Sequence, residues 1–391
     1  AAAATDHNYS IGYLLPQLNV VGSTTWNNNH QVFEFDDETR NVEGDAKSNN
    51  QNASLQMVWT LFDGTKMFAT RERLSEISKI GELNVKNQMV NSIATVINSY
   101  YAIVGQKQKL KSIQEQMTIN EERAKLAERK LQVGTGGKPE LLQAKVDLNA
   151  QRTQIIAQET LILQAKELLN GQVGLQLPPN YDVSDTILIN LDLKQEEIAL
   201  DIEKRNYGLQ MLQHDIYSSR LGLTEQRANR SPVINLNAAY NYSNTNNTQL
   251  INPFSALTSQ NNGYNYGLSF SFPILNGFNI TRQVQQAKIT VDRSQLLYDL
   301  QKQTIDIGVK NAYINYDNAK KVLLLEEENI LLAQENVNIA LESFKRGIAT
   351  FIELRTAQQS LEDGYNRLIN ARYLAKIAET ELLRLNGDLL K

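Results

Sequence analysis

The second half of the chain repeats the first, and a repeat this long dictates the plan of the whole fold. Pro16-Gln-Leu-Asn19 returns as Pro232-Val-Ile-Asn235 at an offset of 216 residues. Asp63-Gly64 returns as Asn276-Gly277, Val133-Gly134 as Arg346-Gly347 and Glu140-Leu141 as Glu353-Leu354, each at an offset of 213. Each copy reads strand, polar loop, strand, very long helix, glycine-bearing tip and second helix, so the fold turns on how such a unit buries its apolar surface. The repeats are read over 1–171 and 206–391, with a connecting segment over 172–205.

Four stretches alternate with the period of a strand: about 17–27, 53–62, 233–243 and 264–272. In the last of these Tyr264, Tyr266, Leu268, Phe270 and Phe272 face one way, and Asn265, Gly267, Ser269 and Ser271 the other. A soluble sandwich also alternates. Here, however, the polar face carries Asn, Ser, Thr, Gln and Gly without Lys or Glu, which suits a water-filled lumen, and aromatics gather near strand ends as in the girdles of outer-membrane barrels. Trp26, Trp59, Leu236, Tyr240, Tyr264, Tyr266, Phe270 and Phe272 are the expected lipid-facing residues. The Asn-, Ser- and Thr-rich runs 28–52 and 244–263 read as outer loops. Four strands cannot close around water, and an open edge in lipid leaves backbone groups unpaired at several kcal/mol each. Three copies would give twelve strands, an even number wide enough for a channel.

From about Lys66 to Gln132, and again from about Asn279 to Arg346, there is no proline and little glycine. At about 1.5 Å per residue each run is on the order of 100 Å of helix. Apolar residues keep three-four spacing through Val90, Ile93, Ile97, Tyr100 and Val104, and through Ile305, Val309, Ala312, Tyr316, Ala319 and Leu323. Sustained over many turns, that spacing is a coiled-coil seam. The short tips at 134–139 and 347–350 make the following helices, Glu140 to Asn170 and Glu353 to Asn386, antiparallel partners. The hairpins therefore span about 66–170 and 279–386, and a shorter helix over 206–230 precedes the third strand.

Charge is nearly balanced, 39 basic against 43 acidic residues, so no nucleic-acid footprint is indicated. There is no cysteine, and His7, His30 and His214 lie far apart, so neither a metal site nor a cofactor is expected. Gly134 to Lys138 fails as a phosphate-binding loop, since Gln132 and Pro139 stand where such a loop needs Gly and Ser or Thr. With no nucleophile, base and orienter to nominate together, the chain is not read as an enzyme. The reading from another class is a structural scaffold, a long coiled coil with a small β head that tethers other proteins.

Leu15 to Leu18, Leu61-Phe-Asp-Gly64, Phe272-Pro-Ile-Leu-Asn-Gly277 and the tip glycines together resemble the TolC family of bacterial outer-membrane efflux proteins over nearly the whole chain. The resemblance implies a mixed α and β membrane protein: a homotrimer with a twelve-stranded β-barrel in the outer membrane and a twelve-helix barrel in the periplasm. It also implies passive conduction, with a periplasmic adaptor and an inner-membrane pump as partners. Glu353 then falls where the family often has an aspartate facing the entrance, and a ring of three carboxylates would favour cations. The plain alternative is a helix-end carboxylate near a positive N-terminal dipole. Thr356 stands in place of a second acid, Ala349 in place of a latch arginine, and Phe344 where a latch tyrosine would stand. Lys345, Arg346 and Arg355 are then expected to pair with Glu353 or Glu140. Gly134, Gly136, Gly137, Lys138, Gly347, Ala349 and Thr350 resemble the adaptor-contact surface. The connecting segment, with Pro178-Pro179 and a short Ile187 to Leu193 strand, resembles an equatorial belt. Asn8-Tyr9-Ser-Ile11 looks like the helix opening at Asn206-Tyr207, yet Pro16 follows much sooner than Pro232 does, so a segment of about 18 residues after Ile11 is expected to be missing. An intact mass larger than this sequence would support that expectation; an equal mass would refute it.

Overall fold

The computed structural model describes residues 2–174, 178, 180–184, 186–251 and 255–390. Its strands are β1 (Gln17–Phe33), β2 (Val42–Phe62), β3 (Val233–Gln249) and β4 (Thr258–Ser271), and its helices α1 (Ala2–Tyr9), α2 (Lys66–Gln132), α3 (Lys138–Val173), α4 (Gln195–Ala199), α5 (Ile202–Arg205), α6 (Tyr207–Ala228), α7 (Asn279–Lys345) and α8 (Phe351–Asn386). The duplication shows in the lengths: α2 and α7 each have 67 residues, α3 and α8 each 36. Two compact units result, one of Ala1–Glu82 with Met211–Tyr298 and one of Leu83–Gln210 with Asp299–Lys391, so both repeats contribute to both units.

In the first unit the four strands form one antiparallel sheet in the order β1-β2-β3-β4. Its register aligns Leu18, Met57, Ala238 and Tyr266, then Val20, Leu55, Tyr240 and Tyr264, so the apolar residues of all four strands share a face. Val20, Tyr264 and Phe270 lie open on it. The runs expected as outer loops prove to be mostly strand, leaving only 34–41 and 250–257 between the paired strands. Asn and Ser are poor strand formers taken alone, but extension of an existing ladder pairs their backbone groups, and that pairing overrides propensity. Below the sheet, α6 meets α2 through polar contacts. The Arg73 guanidinium donates to Glu225 at 2.7 Å, and the His214 ring lies 2.5 Å from Glu76, which also accepts from Lys79 at 2.7 Å.

The second unit holds the hairpins. The α7 seam is packed as its spacing predicts: Leu323, Ile330 and Val337 lie against Ala357, Leu361 and Leu368 of α8. The α2–α3 hairpin differs, because its buried stripe turns polar towards the tip. Asn120 Nδ2 donates to Gln151 Oε1 at 2.6 Å, and Gln158 Nε2 donates to the Gln106 carbonyl at 3.1 Å. The expected strand at Ile187 to Leu193 does not form. This segment has no ladder partner among the described residues and is held instead by side chains. The Tyr316 hydroxyl donates to the Asn190 carbonyl at 2.7 Å, Lys320 to the Leu191 carbonyl at 2.5 Å, and the Asn190 amide to buried Glu379 at 3.3 Å. Pro179 and Leu175 lie outside the described residues. Among the described helices none is long and apolar enough to cross a membrane.

The helical tips as candidate functional site

Both tips are built on the same helix ending. At the first, Gly134 N–H donates to the Leu131 carbonyl at 3.1 Å and Thr135 N–H to the Lys130 carbonyl at 2.9 Å. At the second, Gly347 N–H donates to the Phe344 carbonyl at 3.1 Å and Ile348 N–H to the Ser343 carbonyl at 2.9 Å. This is the Schellman pattern, which needs a left-handed residue just past the helix, and Gly134 and Gly347 supply it with φ of 81° and 77°. Gly136 N–H also donates to the Lys130 carbonyl, and Gly137 caps α3, which opens on Lys138 and Pro139.

The second return helix opens on a capping box. Glu353 N–H donates to Thr350 Oγ1 at 3.2 Å, and Thr350 N–H donates to Glu353 Oε2 at 2.7 Å. Glu353 is thus exposed but engaged with its own helix N-terminus. Glu140, its counterpart in the first repeat, is half-buried, with Oε1 lacking a hydrogen-bond partner among the described residues. Thr356 is exposed, and its hydroxyl donates back to the Ile352 carbonyl at 2.9 Å. Ala349 N–H donates to the Ser343 carbonyl at 3.2 Å.

Phe344 is buried, 2% exposed, with the Lys130 ammonium 4.0 Å from its ring centre, so the first tip lies on the second. The expected pairing of Lys345, Arg346 and Arg355 with Glu353 or Glu140 is not what forms. Lys345 meets Glu342 at 3.1 Å and Glu122 at 3.9 Å, Arg355 meets Asp147 at 3.6 Å, and exposed Arg346 has no ion pair among the described residues. The reason is positional: the capping box engages Glu353, and Arg355 projects towards the first hairpin.

A cluster that the sequence reading missed joins the hairpins behind the tips. Arg123 is 1% exposed; its Nη2 donates to Asp147 Oδ2 at 2.5 Å and its Nη1 to Gln358 Oε1 at 2.9 Å. The guanidinium also lies 4.8 Å from the Phe351 ring centre, while Gln143 donates to the other Asp147 oxygen at 2.9 Å. Burial lowers the Arg123 pKa, and Asp147 opposes that shift. Arginine still stays charged, so the cluster joins one buried cation to one anion. The available signal was register: Gln116, Asn120 and Arg123 continue a buried helical stripe in which apolar residues are the rule. The expected lipid-facing residues lie in the first unit, where the register sets Trp26, Trp59, Leu236, Tyr240, Tyr264, Tyr266 and Phe270 on one face, with Phe272 just past β4.

A family model described as outer membrane efflux protein matches residues 12–175 and 200–388. The outer membrane protein TolC of Salmonella enteritidis is 23% identical over 400 residues, spanning 97% of this chain and 78% of the relative. TolC of Escherichia coli strain K12 is 22% identical over 404 residues, with the same two shares. The solved structure of the outer-membrane channel OprN aligns with a TM-score of 0.80 at 15% identity, covering 99% of this chain and 84% of that one, a likeness of fold. The chain therefore belongs to the outer membrane efflux protein family, and it serves as an exit duct in the bacterial outer membrane.

Proposed function

We propose that three copies of this chain close a twelve-stranded barrel in the outer membrane, with the helical hairpins continuing the duct into the periplasm and ending at an entrance formed by the tips. The carrying observation is the four-stranded sheet whose outer strands, β1 and β4, have no further partner within the described residues while one face is apolar. Such a sheet is stable in lipid only when its edges are paired by other copies. On this reading Trp59, Leu236, Tyr240, Tyr264, Tyr266, Phe270 and Phe272 meet lipid, while Trp26, expected among them from the sequence, stands three rows beyond Tyr240 and Tyr264. The described part of the segment 172–205 belongs to a belt around the helices, and Gly134, Gly136, Gly137, Lys138, Gly347, Ala349 and Thr350 dock a periplasmic adaptor. An inner-membrane pump supplies the energy; the duct itself conducts passively.

Three copies of Glu353 would ring the entrance and favour cations. Gln at this position can still close the capping box, so Glu353→Gln removes charge and keeps the helix start. The test is single-channel conductance in a planar bilayer, with and without a trivalent cation on the tip side. Stable ohmic steps are expected, blocked in the native protein and not in Glu353→Gln. A trimer whose current is indifferent to the cation would overturn the ring, and folded protein that never inserts would overturn the duct.

A further inference from the structure

The strands run well past the length that a membrane needs. A spanning strand takes about 9–11 residues. The outward apolar rows extend from Ile234 and Phe270 to Tyr240 and Tyr264, after which the ladder continues through residues 241–249 of β3, 258–263 of β4 and 42–54 of β2. At about 3.3 Å per residue even the shortest of these overhangs reaches on the order of 20 Å.

On the overhang the outward face changes chemistry. Register places Thr24, Gln51, Asn244 and Gln260 in one row. The next row is Trp26, Asn49, Asn246 and Thr258, with Trp26 74% exposed. Neither row contains a charge. Trp26 thus shares the apolar face of the sheet but stands three rows beyond Tyr240 and Tyr264, on the polar overhang.

The two faces use their amides differently. On the inward face the side chains satisfy one another across strands: Ser54 Oγ donates to Asn241 Oδ1 at 2.8 Å, Asn241 Nδ2 to Asn265 Oδ1 at 2.7 Å, and Asn237 Nδ2 to Ser269 Oγ at 2.9 Å. On the outward overhang Gln260 Nε2 donates to the Tyr242 hydroxyl at 3.3 Å, whereas Gln51, Asn244 and Asn246 make no side-chain hydrogen bond among the described residues. Each open amide offers a donor and an acceptor side by side, the complement of neighbouring sugar hydroxyls. Strands about 4.8 Å apart repeat that offer across the sheet, and an exposed indole beside them has an apolar face on which a sugar ring can stack and a polar edge that tolerates water. The overhang's outward charges, Lys47 and the His30–Asp45 and His30–Glu43 pairs, lie in the rows beyond, and the two uncharged rows suit neutral sugars better than phosphates. Just outside the lipid band of an outer membrane, such sugars are the headgroups of its glycolipids.

We propose that this outward overhang is a saccharide-binding surface, with Gln51, Asn244 and Asn246 as hydrogen-bonding groups and Trp26 as stacking platform, and that it holds the neutral sugars of outer-leaflet glycolipid. The test compares detergent-purified protein binding two glycolipids that share one lipid anchor, one bearing its full sugar chain and one bare, by native mass spectrometry. The sugar-bearing form is expected to bind at least about tenfold more tightly. Gln51→Thr with Asn244→Thr keeps strand propensity and removes the amides, and Trp26→Leu removes the indole. The combined variant should lose the preference while binding the bare anchor and conducting ions as the native protein does. Equal affinity for the two glycolipids, or a preference untouched in a conducting variant, would overturn the proposal. Loss of conductance together with oligomer would instead count against barrel closure, which separates the two failures.

Discussion

Asp147 receives Arg123 on one oxygen and Gln143 on the other, with Arg355 3.6 Å away, so among the described residues it is the one anion paired with this buried cation. Asp147→Asn strands that charge, and removing one member of a buried pair typically destabilises by about 3–5 kcal/mol. Arg355→Gln, which alters a half-exposed group, should cost under about 1 kcal/mol. Thermal unfolding of the helical part, followed by circular dichroism, tests the ordering, and equal midpoints for the two variants would refute it. Thr350→Ala removes one hydrogen bond of the capping box and should cost about 1 kcal/mol in the same assay. Glu353 and the tip glycines could be picked out because they recur at a constant offset and because helix caps are local, whereas Phe344, with Leu131 at its offset, was named as a candidate through the family resemblance alone. Arg123 was not legible. Its partners Asp147 and Gln358 lie 24 and 235 positions away, and only the stagger of two packed hairpins brings them together.

Among the elements, the two long hairpins share a length and differ in what fills them. The α7–α8 interior is apolar, whereas that of α2–α3 towards its tip is an amide ladder, whose hydrogen bonds offer less net stability than buried methyl groups but fix register. Slower amide exchange is therefore expected in α7 between Leu323 and Val337 than in α2 between Gln116 and Arg123; the reverse order would contradict this account. At the other end of α2, burial would raise the Glu76 carboxyl, but hydrogen bonds from Lys79 and His214 outweigh it and hold the carboxyl below its ordinary value. A carboxylate with a depressed folded pKa adds stability above its unfolded pKa and loses it as pH falls through the folded one. The α2–α6 contact should accordingly weaken below about pH 4.5. In Glu76→Gln the melting midpoint should fall less steeply over that range. The segment at 190–193 shows how an element escapes a sequence reading. Its alternation resembles a strand, yet Tyr316, Lys320 and Glu379 occupy its backbone groups where a ladder partner would be.

For the whole molecule the decisive fact is a sheet with an apolar face whose two edges have no partner among the described residues, and the proposed closure by further copies rests on it. Leu268→Pro removes a backbone donor from the edge strand β4 and clashes with regular pairing. The expected outcome is helical content near native with no stable oligomer, read by circular dichroism and native mass spectrometry. An intact oligomer would mean that the edges do not pair. The duplicated plan, the great helices, the tips and the existence of four strands all follow from patterns between near neighbours, since periods of 3.6 and 2.0 and glycine-centred helix ends are local properties. The reach of the strands through Asn-rich sequence, the join at Arg123 and the open amides of the outward overhang are not local. They depend on which backbones lie side by side and in what register, and that is set by the collective pairing of segments far apart in the chain, so only the tertiary structure decides them.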